Sequence, residues 1–222
     1  MSYGYNAPRG LIPSQYLNGT SWSGQQSPYN ILSGLAASIR TGDPVIFDGN
    51  GGITLATAGT GNLILGVFQG VKYTDTSGIE QVLPNWTTGT VTLGAQPATA
   101  YVTDDPWLLY DIQIASGAGG GPVAAPSIAL ADLGTNANLN VAQGTTYNAV
   151  GGVVPPANPA AGTAPAGQSV WYLDSVGQGA GATIQVKIIR FTPRPGNIAA
   201  LPFNNALCLI NNSYYRAGTA GI

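Results

Sequence analysis

Nine acidic and seven basic side chains are all the charge this 222-residue chain carries, and histidine is absent. That removes at once the commonest general base and the commonest metal ligand. Hydrolytic chemistry would have to rest on carboxylates. The conspicuous pair is Asp104-Asp105, followed by Pro106. Neighbouring residues of a strand point to opposite faces, so these two alone cannot flank a glycosidic bond. Asp111 or Asp174 would have to join one of them, and nothing in the spacing recommends it. Turn capping is the simpler role for such aspartates. Asp48-Gly49-Asn50-Gly51 resembles the start of a calcium loop but lacks the later bidentate acid, and it reads better as a hairpin turn. The glycine-rich run at 117–121 lacks the lysine and the helix of a phosphate loop. Cys208, the single cysteine, sits in an apolar run and is expected to be a buried, inert thiol that can form no intramolecular disulfide. The expectation is a non-enzymatic protein with no catalytic residue, no cofactor and no metal site.

Composition points to a surface built to be covered. Charged residues make up 7% of the chain, against roughly 25% in ordinary globular proteins. A net charge of −2 with 44% hydrophobic residues leaves little repulsion between molecules. Arg9, Arg40, Lys72, Lys187, Arg190, Arg194 and Arg216 are spread along the sequence, so no basic stripe is expected and nucleic acid is excluded as a direct partner. Residues 1–10 lack the basic and apolar regions of a secretory signal, and no apolar run reaches the ~18 residues of a membrane span. The protein is therefore expected to be made in a cytoplasm, outside any membrane. A shell-like composition without an export signal suits a particle assembled inside a cell and released by lysis.

The elements that must position these residues read as strands. Residues 41–73 predict three in a row: a strand at 45–47, a glycine-rich turn at 48–52, a return strand at 53–57, and a nearly all-apolar strand at 63–68 covered on both faces. Gly66 and Gly70 mark a bulge or a tight corner there. A strand at 107–114 places Leu108, Tyr110, Ile112 and Ile114 on one face. Along 183–191, Ile184, Val186 and Ile188 alternate with Gln185 and Lys187, which would face solvent. That register puts Arg190 on the apolar face unless the strand ends, bulges or meets a carboxylate. Further short strands are expected at 90–93 and 207–210, a weak helical turn at 30–39, another turn at 130–134, a surface loop at 133–141 and an exposed Pro/Ala loop at 154–167. The fold class is all-β: a small sandwich or barrel of short antiparallel strands with long Gly/Pro-rich loops. An extended N-terminal arm occupies 1–40 and the β-rich body 41–222, with two β subdomains at 41–114 and 168–212 joined by a Gly/Ala/Pro-rich region. In the arm, Tyr3, Tyr5, Tyr16, Trp22 and Tyr29 follow no helix or strand period. Five such rings need burial against the body, a second copy or another protein, and they are the candidate interface residues.

Several stretches, in order, resemble head proteins of tailed bacteriophages with a capsid decoration, or cement, function. They are Gly10-Leu11, Leu17-Asn18-Gly19 and Trp22, then Pro28-Tyr29 and Gly42-Asp43-Pro44-Val45, then Gly66-Val67-Phe68-Gln69-Gly70-Val71-Lys72-Tyr73. Asp104-Asp105-Pro106, Ile112-Gln113, Ile188-Ile189-Arg190-Phe191 and Pro195-Gly196-Asn197 complete the series. The ending Ile210-Asn211-Asn212-Ser213-Tyr214 lacks the histidine expected there, and the Pro/Ala loop at 154–167 is distinctive. The resemblance implies a virion protein on the outer capsid surface, bridging major capsid protein subunits, self-associating as a homotrimer and made in the host cytoplasm. The alternative is a carbohydrate- or receptor-binding module of a phage tail or fibre, with Trp86, Trp107 or Trp171 as stacking platforms beside Asn and Asp partners.

Overall fold

The computed structural model describes residues 8–115, 127–141, 169–175, 178–201, 203–216, 218 and 221. Among them are fifteen strands, two 3-10 turns (Leu93–Ala95 and Leu130–Asp132) and no α-helix. In chain order the strands are β1 (Ile12–Tyr16), β2 (Ser27–Ile31), β3 (Ile39–Arg40), β4 (Pro44–Phe47), β5 (Ile53–Leu55), β6 (Gly66–Thr74), β7 (Glu80–Leu83) and β8 (Asn85–Trp86). They continue with β9 (Ala98–Thr103), β10 (Leu108–Ala115), β11 (Asn136–Ala137), β12 (Leu139–Val141), β13 (Trp171–Asp174), β14 (Val186–Phe191) and β15 (Asn205–Ile210). The protein is an all-β sandwich joined to a nearly closed, barrel-like sheet.

The barrel follows β2-β9-β6-β4-β5, with β7 paired to the far half of β6. Its hairpin is the one the sequence predicts: Val45 faces Leu55 and Phe47 faces Ile53. Asp48 closes the turn by accepting from the Asn50 and Gly52 N–H groups, while Gly49 and Gly51 take positive φ. Alternation along the wall feeds two cores. Val45, Phe68 and Val71 point into the barrel with Trp86, whereas Ile46 and Val67 point out against the sandwich. The apolar run is thus covered on both faces, although its strand begins at Gly66, later than expected. A Cβ on Gly66 would strike the Thr103 carbonyl, and the bulge falls between Phe68 and Gly70.

The second sheet runs β11-β14-β15-β10-β13-β12, with β1 beside β10. Tyr110, Ile112, Ile188 and Cys208 face the shared core, and burial pushes the Cys208 thiol pKa up, keeping it protonated. Arg190 escapes that core because a bulge between Ile188 and Arg190 turns it to the outer face. From there it reaches Gln15 on β1, whose amide oxygen accepts from the guanidinium. The pair spans three strand gaps, about 14 Å, across the outer face where Ile189 packs on Leu109, Leu207 and Leu209. Beside them Asp111 accepts from Arg9 (3.0 Å), Thr192 (2.7 Å) and Arg194.

Four expectations need correction. Residues 30–39 contain no helical turn; Asn30 and Ile31 continue β2, and Gly34 sits at positive φ. No strand forms at 90–93, where the chain enters the 3-10 turn. The stretch 133–141 is no surface loop: it supplies β11 and β12, with Asn136, Ala137 and Leu139 buried. Gln185 is buried, not solvent-facing, because it precedes β14 at the junction of the halves. Its oxygen accepts from the Gly59 and Leu139 N–H groups and its amide donates to the Thr57 carbonyl. That satisfies a buried polar group completely enough to hold it there. The described part of the arm, residues 8–40, is extended but lies on the body: β1 joins the sandwich through β10, and β2 joins the barrel through β9. The Pro/Ala loop at 154–167 and the glycine run at 117–121 lie outside the described residues.

Candidate functional site

The seam between barrel and sandwich gathers the aromatic residues. β2 sets Tyr29 beside the β9–β10 turn, where its hydroxyl donates to Asp104 Oδ2 at 2.6 Å while Ser27 donates to Oδ1 at 2.9 Å. The Tyr215 hydroxyl lies 2.6 Å from that of Tyr29. Because the Tyr29 proton goes to the carboxylate, Tyr215 must donate to Tyr29, giving a chain that ends on Asp104. Burial, reinforced by Asp104, raises the Tyr29 pKa and keeps it a phenol. Phe47 packs edge-on against both Tyr29 (5.9 Å) and Tyr214 (5.1 Å). Arg216 stacks over Trp107 at 5.0 Å and donates to the Ile210 carbonyl, fixing the tight Ser213–Arg216 turn that presents Tyr215.

Below this chain opens a cleft of about 250 Å³, with Tyr16, Trp22 and Tyr215 as its rings and Gln25, Asp104 and Asp105 among its polar groups. Trp22 is held by its indole N–H, which donates to the Gln25 carbonyl at 3.3 Å. Asp105 accepts from the Trp107 N–H at 2.8 Å, the turn cap expected before Pro106. The fixed carboxylates and half-exposed rings suit recognition of a ligand with both an apolar face and hydroxyl donors.

The interface residues named from sequence are dispersed by the fold. Tyr16 and Trp22 pack partly on the main core and line the cleft; Tyr29 packs on the barrel core and anchors the seam. Tyr3 and Tyr5 lie outside the described residues. Of the proposed stacking platforms, Trp86 (1% exposed) and Trp171 (2% exposed) are core side chains and can stack on nothing outside. Trp107 is 52% exposed, with one face taken by Arg216. Sequence reasoning missed Tyr215 and Gln25, which come to the cleft from regions of no marked pattern.

A second surface lies at the barrel end. The β6–β7 hairpin carries Ile79 (59% exposed) and Val82 (69% exposed), and β7 has no described strand on its other side. Asp75 bridges to Thr92, whose buried side chain forces Val91 and Leu93 outward next to the hairpin. The β6–β7 hairpin thus exposes Ile79 and Val82 beside the Lys72–Glu80 ion pair and a free strand edge, and Val91 and Leu93 are exposed on either side of the bridge to its Asp75.

Asp43, where β4 meets the sandwich, accepts from the Arg40 N–H at 2.8 Å, and burial pushes its carboxyl up to about 6 against the pull of Ser169 and Arg40. Among the described residues no three His, Cys, Asp or Glu side chains converge to hold a metal, and no helix is long and apolar enough to cross a membrane. No family model, no curated protein and no solved structure matches this chain.

Proposed function

We propose that this chain is a structural virion protein that binds the outside of an icosahedral phage capsid and cements neighbouring major capsid protein subunits, acting as a homotrimer and carrying out no catalysis. The observation that supports the reading is the barrel-end surface: Ile79 and Val82 exposed beside the free edge of β7, with Val91 and Leu93 exposed nearby at the Asp75–Thr92 bridge, on a body with few charges. Cementing needs contact area across subunit joints, and an exposed strand edge flanked by apolar side chains supplies main-chain hydrogen bonds together with burial. The charge-poor composition fits a surface covered in the assembled particle.

The test is to add the purified protein to expanded, undecorated phage heads and image the particles by electron microscopy. Density at symmetry-related positions on the shell, three copies to a position, is the expected result. Bare shells with the protein free or bound to tails would overturn the reading.

A further inference from the structure

We infer that the seam cleft is a binding site for uncharged pyranose sugars, a function separate from capsid docking and located away from the barrel-end surface. Three observations carry it. The first is shape: at about 250 Å³, the cleft has room for a single sugar ring, and it is partly open to solvent. The second is the pairing of surfaces. Tyr16, Trp22 and Tyr215 line the cleft as aromatic surface suited to the C–H face of a pyranose, and Asp104, Asp105 and Gln25 line it as hydrogen-bonding groups suited to its hydroxyls.

The third observation is that the two carboxylates and the Trp22 ring are held in place before any ligand arrives. Ser27 and Tyr29 orient Asp104, the Trp107 N–H orients Asp105, and the Gln25 carbonyl fixes the Trp22 indole. A carboxylate accepts about four hydrogen bonds; the described partners supply two to Asp104 and one to Asp105. Each therefore retains acceptor capacity for sugar hydroxyls, and the Gln25 amide both donates and accepts, as a hydroxyl does. Rings beside carboxylates also suit an organic ammonium ion, so the test includes one. The position of the Tyr215 ring depends on the Arg216–Trp107 stack, so Trp107 serves the site as a positioning residue, not as a platform.

The experiment is to screen the full-length protein on a printed glycan array, then titrate free methyl pyranosides of the retained sugars while following the Trp22 indole N–H signal by NMR. Retention of neutral glycans with a saturable shift of that signal is expected. Asp105→Asn and Gln25→Ala, both at the cleft surface, should each weaken binding about tenfold, and Trp22→Ala should abolish it. Val82→Asp, at the barrel end, should leave it unchanged. No retained glycan, a shift produced by choline and not by sugars, or undiminished sugar binding in folded Asp105→Asn and Gln25→Ala proteins would each overturn the assignment. Capsid docking can succeed or fail independently of these outcomes.

Discussion

The barrel is antiparallel throughout and the sandwich is antiparallel except where β10 meets β13 in parallel, and the two are assembled from different distances along the chain. In the barrel, β4 pairs with β5 and β6 with β7 across short turns, and its one distant strand, β2, is added at the edge through β9. In the sandwich, β10 lies between β1 and β15, pairing Asp111 with both Ile12 and Leu207. Long loop closures cost entropy before their contacts repay it. The barrel should therefore hold together more locally, while the sandwich depends on the junction that brings its strands in. That junction is made of backbone and a few buried polar groups: Gly10 donates to the Trp171 carbonyl, Leu11 to that of Gly42, and Gln185 ties Thr57 and Gly59 to Leu139.

The sharpest way to break this contrast is Gly10→Ala. Gly10 has φ +76°, and a Cβ there would meet both Ser169 Oγ and the Gly42 carbonyl. A loss of about 3 kcal/mol or more is expected in denaturant titration, with amides of β10 and β15 losing hydrogen-exchange protection before those of β4–β6. Equal loss in both halves would show that they unfold as one unit.

Asp43 tests the same junction through pH. Its folded pKa, about 6, lies above the ordinary value of 3.8, so the folded protein binds the proton more tightly than the unfolded chain. Stability from this group is complete below about pH 4 and declines as pH rises to about 6, by of order 1–3 kcal/mol. Asp43→Asn should flatten that part of the profile, measured as midpoint against pH. A further step down is Tyr29→Phe, which cuts the hydrogen-bond chain at the seam and should cost about 1 kcal/mol, with the Tyr215 signal broadening in NMR spectra. Smallest for stability is the double change Ile79→Asp and Val82→Asp. Both side chains are exposed, so the midpoint should move by no more than about 0.5 kcal/mol, while attachment to expanded heads, read by co-sedimentation, should fall more than about tenfold.

Much of the local structure was legible. The Asp-Gly-Asn-Gly turn between β-branched runs, the face shared by Leu108, Tyr110, Ile112 and Ile114, and the two glycines of β6 all state their conformation in residue types a few positions apart. The apolar alternation before Arg190 required an interruption, and the bulge supplies it. Gln185 and Asn136 were misread for one reason. A polar residue looks solvent-bound until distant backbone groups arrive to satisfy it, and those groups come from residues as remote as Thr57 and Gly181. The cleft was illegible on the same grounds, since Trp22, Asp105 and Tyr215 have no sequence relation to one another.

By itself, then, the sequence determined an all-β chain without histidine chemistry, its turns, and the inward or outward sense of its clearest strands, because these follow from side-chain size, backbone freedom and a two-residue period. Only the tertiary structure decided that the N-terminal segment divides between two sheets, that Trp86 and Trp171 belong to cores while Trp107 stays outside, and that Ile79, Val82, Val91 and Leu93 stay exposed. Those outcomes depend on which distant strands meet, and strand pairing is fixed by the burial and hydrogen bonding of the whole assembly, not by any stretch alone.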